Sequence, residues 1–477
     1  MVLSDGFLVL PLLIAVLYAS VETVSDVYSR KNYQRKIDVD SNVQQPWRGQ
    51  TTLIFALLAV SLGLGNVLRL PYIIGEQGGG AFLLVYVAVL TLVVSPVLIA
   101  ELTLGSLGRS SPMGSIQWVA SLAGRDTRWR WIGALQAILA LSIASLMMVP
   151  AVLGAEASVY LYRGDWDAAS ANDIIDTLSG IDSADHLRVL GVLVALVIVA
   201  ALPGPQVVLF LAGWVILPLI LLMMYAGLGF AFDVGDIAAA NEWIFKYRPE
   251  QLTEAGIFSA ALAALSSLGA GVGVGLVFGS RSPEGLPLVR SVIAVAILDT
   301  AFMLVLAIII VAVTAAVDVE MVQGLALLVV SIPYATANLP TGELFGLVIM
   351  MSILLATVAA LIALIEPMVS ILRREFDVPR LLAMMIVALV LWVSGALMMS
   401  EPLARQTIDT WLVPVLVPFV LGVTALFAVW RVPRPILRGE KYREPFAVFY
   451  VWYVIARWLT PVFCFTLSVL ALLRLVL

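Results

Sequence analysis

Residues 61–65 read Ser-Leu-Gly-Leu-Gly and residues 267–271 read Ser-Leu-Gly-Ala-Gly, and this repeated pattern decides the fold. Each copy interrupts an apolar run that is long enough to cross a bilayer as a helix. Glycines are also common where membrane helices pack closely. The two glycines of G-x-G point to different faces of a helix, however, so they make a poor packing stripe. Glycine breaks at matching places in two halves predict the binding site of a secondary transporter.

The whole composition agrees with a membrane protein. Of 477 residues, 62% are hydrophobic and 12% are charged, whereas soluble domains carry about 25% charged residues. We predict twelve spanning helices, at 6–21, 52–72, 80–106, 130–160, 187–202, 205–231, 257–279, 289–316, 344–372, 381–400, 410–430 and 446–475. One histidine (His186) and one cysteine (Cys464) exclude a disulfide framework and a thiolate or imidazole metal cluster. We expect His186 in a solvated loop and Cys464 in helix packing.

Lysine and arginine fix the expected orientation, because cytoplasmic loops carry most of them. Placing segment 26–51 in the cytoplasm puts the basic clusters at 109–130, 373–380 and 431–443 on that side as well. The N-terminus is then outside. Helix 6–21 lacks the basic start of a signal peptide, so we expect it to be retained. We expect the polar segment 108–128 on the membrane surface and segment 318–343 as a re-entrant or capping loop.

The second copy of the pattern lies five spans after the first, so it enters the bilayer from the opposite side. This predicts an all-α integral membrane protein with a five-plus-five inverted repeat. We place its parts as an extra helix (1–25), a cytoplasmic segment (26–51), the first repeat (52–231), an extracellular loop (232–256), the second repeat (257–430), and a last loop and helix (431–477). Unwound backbone at each break exposes N–H groups for an anion and C=O groups for a cation.

A long signature gives the chain a resemblance to a known family. It comprises Trp47, Gly63-Leu-Gly-Asn-Val-Leu-Arg-Leu-Pro71, Gly78-Gly-Gly-Ala-Phe82, Tyr86, Pro96, Glu101 and Gly105. These residues resemble the neurotransmitter:sodium symporter family, with prokaryotic leucine-transporter-type members as the nearest comparison. The resemblance runs from about residue 44 to the C-terminus and also covers 243–252, 362–368 and 409–411. It implies the leucine-transporter-type fold, with breaks in the first and sixth family helices.

The resemblance implies a first sodium site at Ser61, Asn66, Ser267 and Asp299. Hydroxyl, amide, carboxylate and carbonyl oxygens suit a hard cation such as Na⁺. The alternative for Ser61 and Ser267 is that each hydroxyl bonds the backbone of its own helix.

Asp299 is the most informative residue, because no other charge lies between 292 and 313. A carboxylate at that depth costs several kcal/mol unless it is paired or protonated, and it is a functional-site hypothesis by default. The alternative is a carboxylate that hydrogen-bonds a neighbouring helix. In the family, the carboxylate of the substrate completes the first sodium site. Two options follow here: Asp299 is protonated when a carboxylate substrate binds, which couples transport to H⁺, or the substrate lacks a carboxylate.

The second sodium site of the family is expected to be degraded. The positions of its two adjacent hydroxyl residues fall on Ala359 and Ala360. Neither side chain offers an oxygen. Ala59, Leu62 and Ala356 retain backbone carbonyls only, so Na⁺ coupling is expected through the first site.

The implied substrate pocket departs from the family pattern. Its positions fall on Gly63, Leu64, Gly65, Met147, Met148, Ser266, Gly269 and Val272. The tyrosine of the third family helix, which binds the substrate carboxylate, is missing, because no tyrosine occurs between 130 and 159. The pocket is expected to be wider and less aromatic than in leucine-type members.

Four further polar residues match family positions. Arg69 and Asp409 resemble the extracellular gate pair, with snorkelling of each side chain to water as the alternative. Glu101 is expected to bind exposed N–H groups of the broken sixth helix, and Glu366 to bind backbone opened by Pro367. The intracellular gate is not identified, because its positions fall on Gln44 and Arg374.

The sequence therefore predicts a secondary symporter of a small organic solute, with an amino acid favoured. Coupling is to Na⁺ through the first site, with H⁺ through Asp299 as an addition, in the cell membrane of a prokaryote. The alternative is a binding or sensor protein that kept the fold and lost transport. No nucleophile or acid–base pair supports an enzyme, and no organic cofactor or nucleic-acid partner is expected besides solute and lipid.

Overall fold

The structure is a computed structural model that describes residues 49–62, 64–204, 210–283, 285–317, 322–438 and 444–476. The predicted helix 6–21 and the cytoplasmic segment before Trp47 lie outside these residues. Regular structure in the described residues is helical, apart from one antiparallel bridge between Gly79 and Tyr247.

Eighteen helices are labelled in chain order. They are α1 Gln50–Ser61, α2 Leu64–Glu76, α3 Gly80–Gly108, α4 Pro112–Leu122, α5 Thr127–Arg163, α6 Ala171–Ser179, α7 Ser183–Ala201, α8 Ala212–Val234, α9 Ile237–Phe245, α10 Glu254–Leu265, α11 Val274–Ser280, α12 Leu288–Ala315, α13 Leu327–Ala337, α14 Gly342–Glu375, α15 Arg380–Ser400, α16 Pro402–Arg431, α17 Arg434–Arg438 and α18 Phe446–Leu475. A short 3₁₀ turn covers Pro249–Gln251.

The described residues hold nine helices long and apolar enough to cross a membrane: α3, α5, α7, α8, α12, α14, α15, α16 and α18. The predicted spans 52–72 and 257–279 appear as two broken pairs, α1 with α2 and α10 with α11. The eleven spans predicted between 52 and 475 thus each have a helical counterpart. The prediction of an all-α membrane protein with glycine-broken helices is confirmed.

Short helices occur in the segment expected on the membrane surface and in the segment expected as a re-entrant or capping loop. Segment 108–128 contains α4, which is buried on the side of Met113, Ile116 and Val119. Segment 318–343 contains α13, and just before that helix the Gly324 N–H donates to the Leu68 carbonyl of α2 at 2.8 Å. The segment after α12 is therefore bonded to α2, the second half of the first broken helix.

The sequence predicts His186 in a solvated loop, and this prediction is wrong. It is in the first turns of α7, and its Nδ1 lies 2.7 Å from a carboxylate oxygen of Glu156 on α5. The misleading signal is the polar run 182–186, because it forms the start of a helix rather than a linker.

Glycines bring α3 and α11 into close backbone contact. A Cβ on Gly105 would lie 2.3 Å from the Leu276 carbonyl oxygen, and one on Gly279 would lie 2.2 Å from the Leu102 carbonyl oxygen. Small residues at such crossings let membrane helices approach closely. This packing fixes α11, the second half of the broken helix, against the scaffold helix that carries Glu101.

Candidate functional site

The second break is a stretch of eight residues between α10 and α11. Helix α10 ends at Leu265 and α11 begins at Val274. Gly269, Gly271 and Gly273 have φ of 65°, 79° and 73°. Glycine adopts this left-handed region without steric cost, whereas other residues are strained there. The glycines at 269 and 271 are those of the S-L-G-A-G pattern, so the sequence specifies the unwinding directly.

Glu101 binds the backbone that this break exposes. Its Oε1 accepts from the Gly271 N–H at 2.9 Å and from Gln136 Nε2 at 2.7 Å. The side chain of Glu101 is fully buried. Gln136 also donates to the Thr424 hydroxyl at 2.8 Å, which ties the break to α5 and α16. A buried N–H without a partner costs about 1–3 kcal/mol, so these bonds hold the unwound form in place.

The first break follows Ser61. The Ser61 hydroxyl donates to the Leu58 carbonyl at 2.9 Å, as the backbone-bonded alternative expects, and the Leu62 N–H donates to the same oxygen at 3.2 Å. Gly63 and the side chains of 64–67 lie outside what the structure describes. The roles of Gly63, Leu64, Gly65 and Asn66 therefore stay predictions.

Asp299 is the centre of a buried polar cluster beside both breaks. The Ser267 hydroxyl donates to Asp299 Oδ2 at 2.5 Å, and the Tyr86 hydroxyl donates to Ser267 Oγ at 3.1 Å. The Ser61 hydroxyl interacts with the same carboxylate. All four side chains are buried. Helices α1, α3 and α12 and the second break thus each contribute one oxygen-bearing side chain.

Tyr86 belongs to this cluster, although sequence reasoning gave it no role beyond the signature. The available signal is its position inside an apolar span, because a buried phenol normally finds a hydrogen-bond partner. Which hydroxyl it would reach depends on the packing of α3 against the second break, and the sequence does not show that packing.

The cluster has the chemistry of a cation site. It offers a carboxylate, two aliphatic hydroxyls and a phenol, and such oxygen donors suit a hard monovalent cation. Among the described residues, no basic side chain interacts electrostatically with Asp299. An ionised carboxylate in this environment is costly unless a cation or hydrogen bonds compensate it.

A cavity of about 40 Å³ adjoins the cluster. Asp299 and Ser61 form its polar side, and Leu62, Met224, Phe302 and Ala356 are among its apolar lining residues. Holding one water molecule takes roughly 10–15 Å³ of such space, so the cavity has room for an ion or a few solute atoms.

The positions of the family's second sodium site lie in an apolar cluster. Ala59, Ala356 and Ala359 are buried together with Ile220 and Met224. Ala360, the next residue in the chain after Ala359, is also buried, and Leu62 packs against the cluster. The side chains at these positions therefore present hydrocarbon where the family has its second sodium site.

The predicted substrate positions are not all brought together. Met148 is fully buried, with its Cβ 3.5 Å from the place of a Cβ on Gly395 of α15, and neither Met147 nor Met148 lines the cavity. Ser266 bonds the Leu262 carbonyl of its own helix at 3.0 Å. Val272 is buried, whereas Gly269 faces α1, since a Cβ there would lie 3.3 Å from Val60.

Arg69 and Asp409 form an ion pair between two helices near the site. An Arg69 guanidinium nitrogen donates to Asp409 Oδ2 at 2.6 Å, with side chains 43% and 39% exposed. The pair joins α2 to α16. The two side chains therefore point at each other rather than separately to water.

The sequence predicts that Glu366 binds the backbone opened by Pro367, and this prediction is wrong. Its carboxylate pairs with the Arg380 guanidinium, which also donates to the Ala201 carbonyl at 2.6 Å. Arg281, after α11, interacts with the same carboxylate; burial lowers its pKa to about 10, and Glu366 opposes that shift. Arginines on two neighbouring segments are stronger partners than a backbone N–H, which explains the difference.

Comparison with known proteins shows which proteins the chain is similar to. Residues 44–163 match the model of the sodium:neurotransmitter symporter family. The uncharacterized sodium-dependent transporter MJ1319 of Methanocaldococcus jannaschii is 22% identical over 84% of each chain. The uncharacterized sodium-dependent transporter YhdH of Bacillus subtilis is 22% identical over 87% of this chain and 95% of its own.

A solved structure extends the comparison to the fold. The crystal structure of MhsT in complex with L-phenylalanine matches with a TM-score of 0.79, at 22% identity, over 90% of this chain and 99% of that one. The predicted leucine-transporter-type fold is therefore confirmed, as is the family resemblance on which it depends.

Proposed function

We propose that this chain, a member of the sodium:neurotransmitter symporter family, is a Na⁺-coupled secondary transporter of a small organic solute. The observation that carries the proposal is the buried cluster of Asp299, Ser267, Tyr86 and Ser61 at the junction of two broken helices. Binding at a junction between repeats lets one repeat rock against the other while the site stays fixed.

Sodium is proposed at Ser61, Asn66, Ser267 and Asp299. The Asp299 carboxylate supplies a full negative charge, so it binds a cation without help from the solute. The family's other sodium site contributes nothing in this proposal, because hydrocarbon surrounds Ala59, Ala356 and Ala359. Protonation of Asp299 in place of Na⁺ adds H⁺ as a second coupling ion.

An amino acid is the proposed solute. One matching solved structure is a complex with L-phenylalanine, and a sodium-dependent neutral amino acid transporter of Mus musculus is 31% identical over 104 residues, which are 22% of this chain and 14% of its own. The exposed N–H groups of the breaks bind a carboxylate in the manner of helix N-termini. A zwitterion, one Na⁺ and an ionised Asp299 leave no net charge in the site.

Transport is tested in proteoliposomes with the purified chain. Uptake of a panel of amino acids and small amines is measured with an inward Na⁺ gradient, an inward H⁺ gradient, or neither. The proposal predicts Na⁺-driven accumulation of at least one neutral amino acid. Absence of accumulation across the panel under both gradients would count decisively against it.

A second candidate is a ligand-binding or sensor protein that no longer transports. The loss of hydroxyls at Ala359 and Ala360 favours it, because it removes one of two coupling ions. This candidate predicts solute binding by calorimetry with no flux in the same proteoliposomes. Gradient-driven accumulation excludes it.

A further inference from the structure

Four arginines lie over aromatic rings at the end of α16, in α17 and in the first half of α18. Arg431 lies over Trp129 at 5.5 Å, Arg434 over Tyr453 at 4.4 Å, and Arg438 over Phe446 at 5.0 Å, measured from guanidinium carbon to ring centroid. The fourth is Arg457, over Trp430 at 4.6 Å and Trp458 at 5.8 Å. We define the basic–aromatic patch as Trp430, Arg431, Arg434, Arg438, Arg457 and Trp458.

The positive charge of this patch is not balanced within the part of the chain that the structure describes. The ion pairs found there involve other arginines, such as Arg69, Arg130 and Arg380. Arg431, Arg434 and Arg438 are exposed. Arg457 is half-buried and donates to neutral oxygens only, the Tyr453 hydroxyl at 2.5 Å and the Val429 carbonyl at 3.4 Å.

The patch lies at the end of the spanning helix α16. Trp430 Nε1 donates to the Arg457 carbonyl at 2.8 Å, so Arg457 is level with the last turn of α16. The rings of Trp430 and Trp458 meet edge to face at 5.1 Å and are 44% and 58% exposed. Exposed tryptophans are enriched at the membrane–water interface, which places the guanidinium groups at headgroup level.

We infer that the basic–aromatic patch binds the phosphate headgroup of an anionic phospholipid. A guanidinium group presents paired N–H donors that match phosphate oxygens, and stacking on a ring fixes the plane of that group before the lipid arrives. Arginine clusters at the cytoplasmic end of a spanning helix attract anionic lipids. The exposed faces of Trp430 and Trp458 offer contact to the acyl chains, which a soluble phosphate lacks.

The test compares lipid binding by the purified full-length chain and its variants, measured by native mass spectrometry. The probes are phosphatidylglycerol, phosphatidylcholine and inorganic phosphate. The main variant is Arg457→Gln. The control is Arg474→Gln, because Arg474 stacks on Phe258 at 4.5 Å at the opposite end of α18 and lies outside the patch. Arg434→Gln is a second test at an exposed position, where loss of folding is not expected.

The expected result is retention of phosphatidylglycerol over phosphatidylcholine by the unmodified chain and by Arg474→Gln. Each patch variant is expected to weaken phosphatidylglycerol binding roughly fivefold, the effect of one basic residue near an anionic surface. Arg457→Lys keeps the charge but not the planar stacking, so we expect a smaller loss. Equal retention by all variants, equal binding of phosphatidylcholine, or competition by inorganic phosphate at equal concentration overturns the inference.

Discussion

Two sides of one cavity have opposite chemistry. On one side, Asp299 and Ser61 present oxygen atoms, and Ser267 and Tyr86 extend the polar cluster behind them. On the other side, Leu62, Ala356 and Met224 present hydrocarbon that continues to Ala59 and Ala359. The two groups of residues differ in whether their side chains carry oxygen atoms. We infer from this difference that replacing two or three side chains can remove or strengthen an ion site in this fold.

The charges explain why the two changes go together. A site that holds two Na⁺ with neutral ligands accumulates positive charge, and each unpaired charge in the membrane costs several kcal/mol. A single Na⁺ beside Asp299 forms a neutral pair. We therefore interpret the added carboxylate and the lost hydroxyls as one rearrangement of the coupling site.

The largest effect is expected from Asp299→Asn. The amide keeps the shape and one oxygen but removes the charge, and bonds to charged groups contribute about 1.5–3 kcal/mol. We expect apparent Na⁺ affinity in solute uptake to fall roughly ten- to hundredfold, and the pH dependence of uptake to change.

Ser352→Ala is the matched control for that change. Ser352 lines the same cavity but donates to the Ile349 carbonyl of its own helix at 2.7 Å. Its substitution is expected to leave Na⁺ affinity within about twofold. An equal loss in both variants would mean that the cavity shape matters and the carboxylate does not. An unchanged pH profile in Asp299→Asn would remove the proton role.

The sequence predicts the breaks well, because glycine at 269 and 271 is what a left-handed backbone requires. It also predicts that Asp299 has a role, because a lone carboxylate in an apolar span needs a partner. It does not reveal that Tyr86 bonds Ser267, the partner of Asp299, since this depends on how α3 packs. The methionines 147 and 148 were placed by counting along α5. An error of one residue in such a count turns a side chain by 100° to another face.

Glu366 shows a second limit of the sequence. Its partner Arg380 is close in the chain but belongs to the next helix, and the turn between α14 and α15 decides whether they meet. Glu101 differs, because the exposed N–H groups of a nearby break attract any buried carboxylate that reaches them. The exposed backbone therefore identifies the partner of Glu101, whereas the same reasoning gives the wrong partner for Glu366.

The second largest effect is expected on stability, from substitutions of Glu101, which holds the backbone of the second break. Glu101→Ala removes the acceptor of the Gly271 N–H and of Gln136. Two buried donors without partners are expected to lower the free energy of unfolding by about 3 kcal/mol, measured by denaturant unfolding in detergent. Glu101→Gln keeps an acceptor oxygen and is expected to lose less. A larger loss in Glu101→Gln would contradict this account.

A smaller effect on stability is expected when serine replaces the two alanines on the apolar side of the cavity. In Ala359→Ser with Ala360→Ser, two buried hydroxyls need partners, and we expect a loss of about 1–2 kcal/mol in Na⁺-free buffer. Added Na⁺ is expected to restore that stability and to steepen the Na⁺ dependence of uptake. Ala363→Ser, on the same buried helix, serves as the control. Equal Na⁺ responses in both variants would show that the apolar side has no latent ion site.

The smallest effect is expected at Arg69 and Asp409, which close the outer side. Half-exposed ion pairs contribute about 0.2–1 kcal/mol, so Arg69→Gln and Asp409→Asn are each expected to speed solute dissociation up to about fivefold. In a double-mutant cycle, a coupling energy of that size supports a gate pair. A coupling energy of zero would mean that the two side chains act independently.

The central claim is that one Na⁺, bound at Asp299, drives transport. The most direct measurement is the number of Na⁺ ions moved per solute in proteoliposomes, obtained from the membrane potential or Na⁺ gradient that just prevents net uptake. The account predicts a single Na⁺ per solute, and in Asp299→Asn an apparent Na⁺ affinity that is roughly ten- to hundredfold lower. Two Na⁺ per solute, or undiminished Na⁺ coupling in Asp299→Asn, would contradict it.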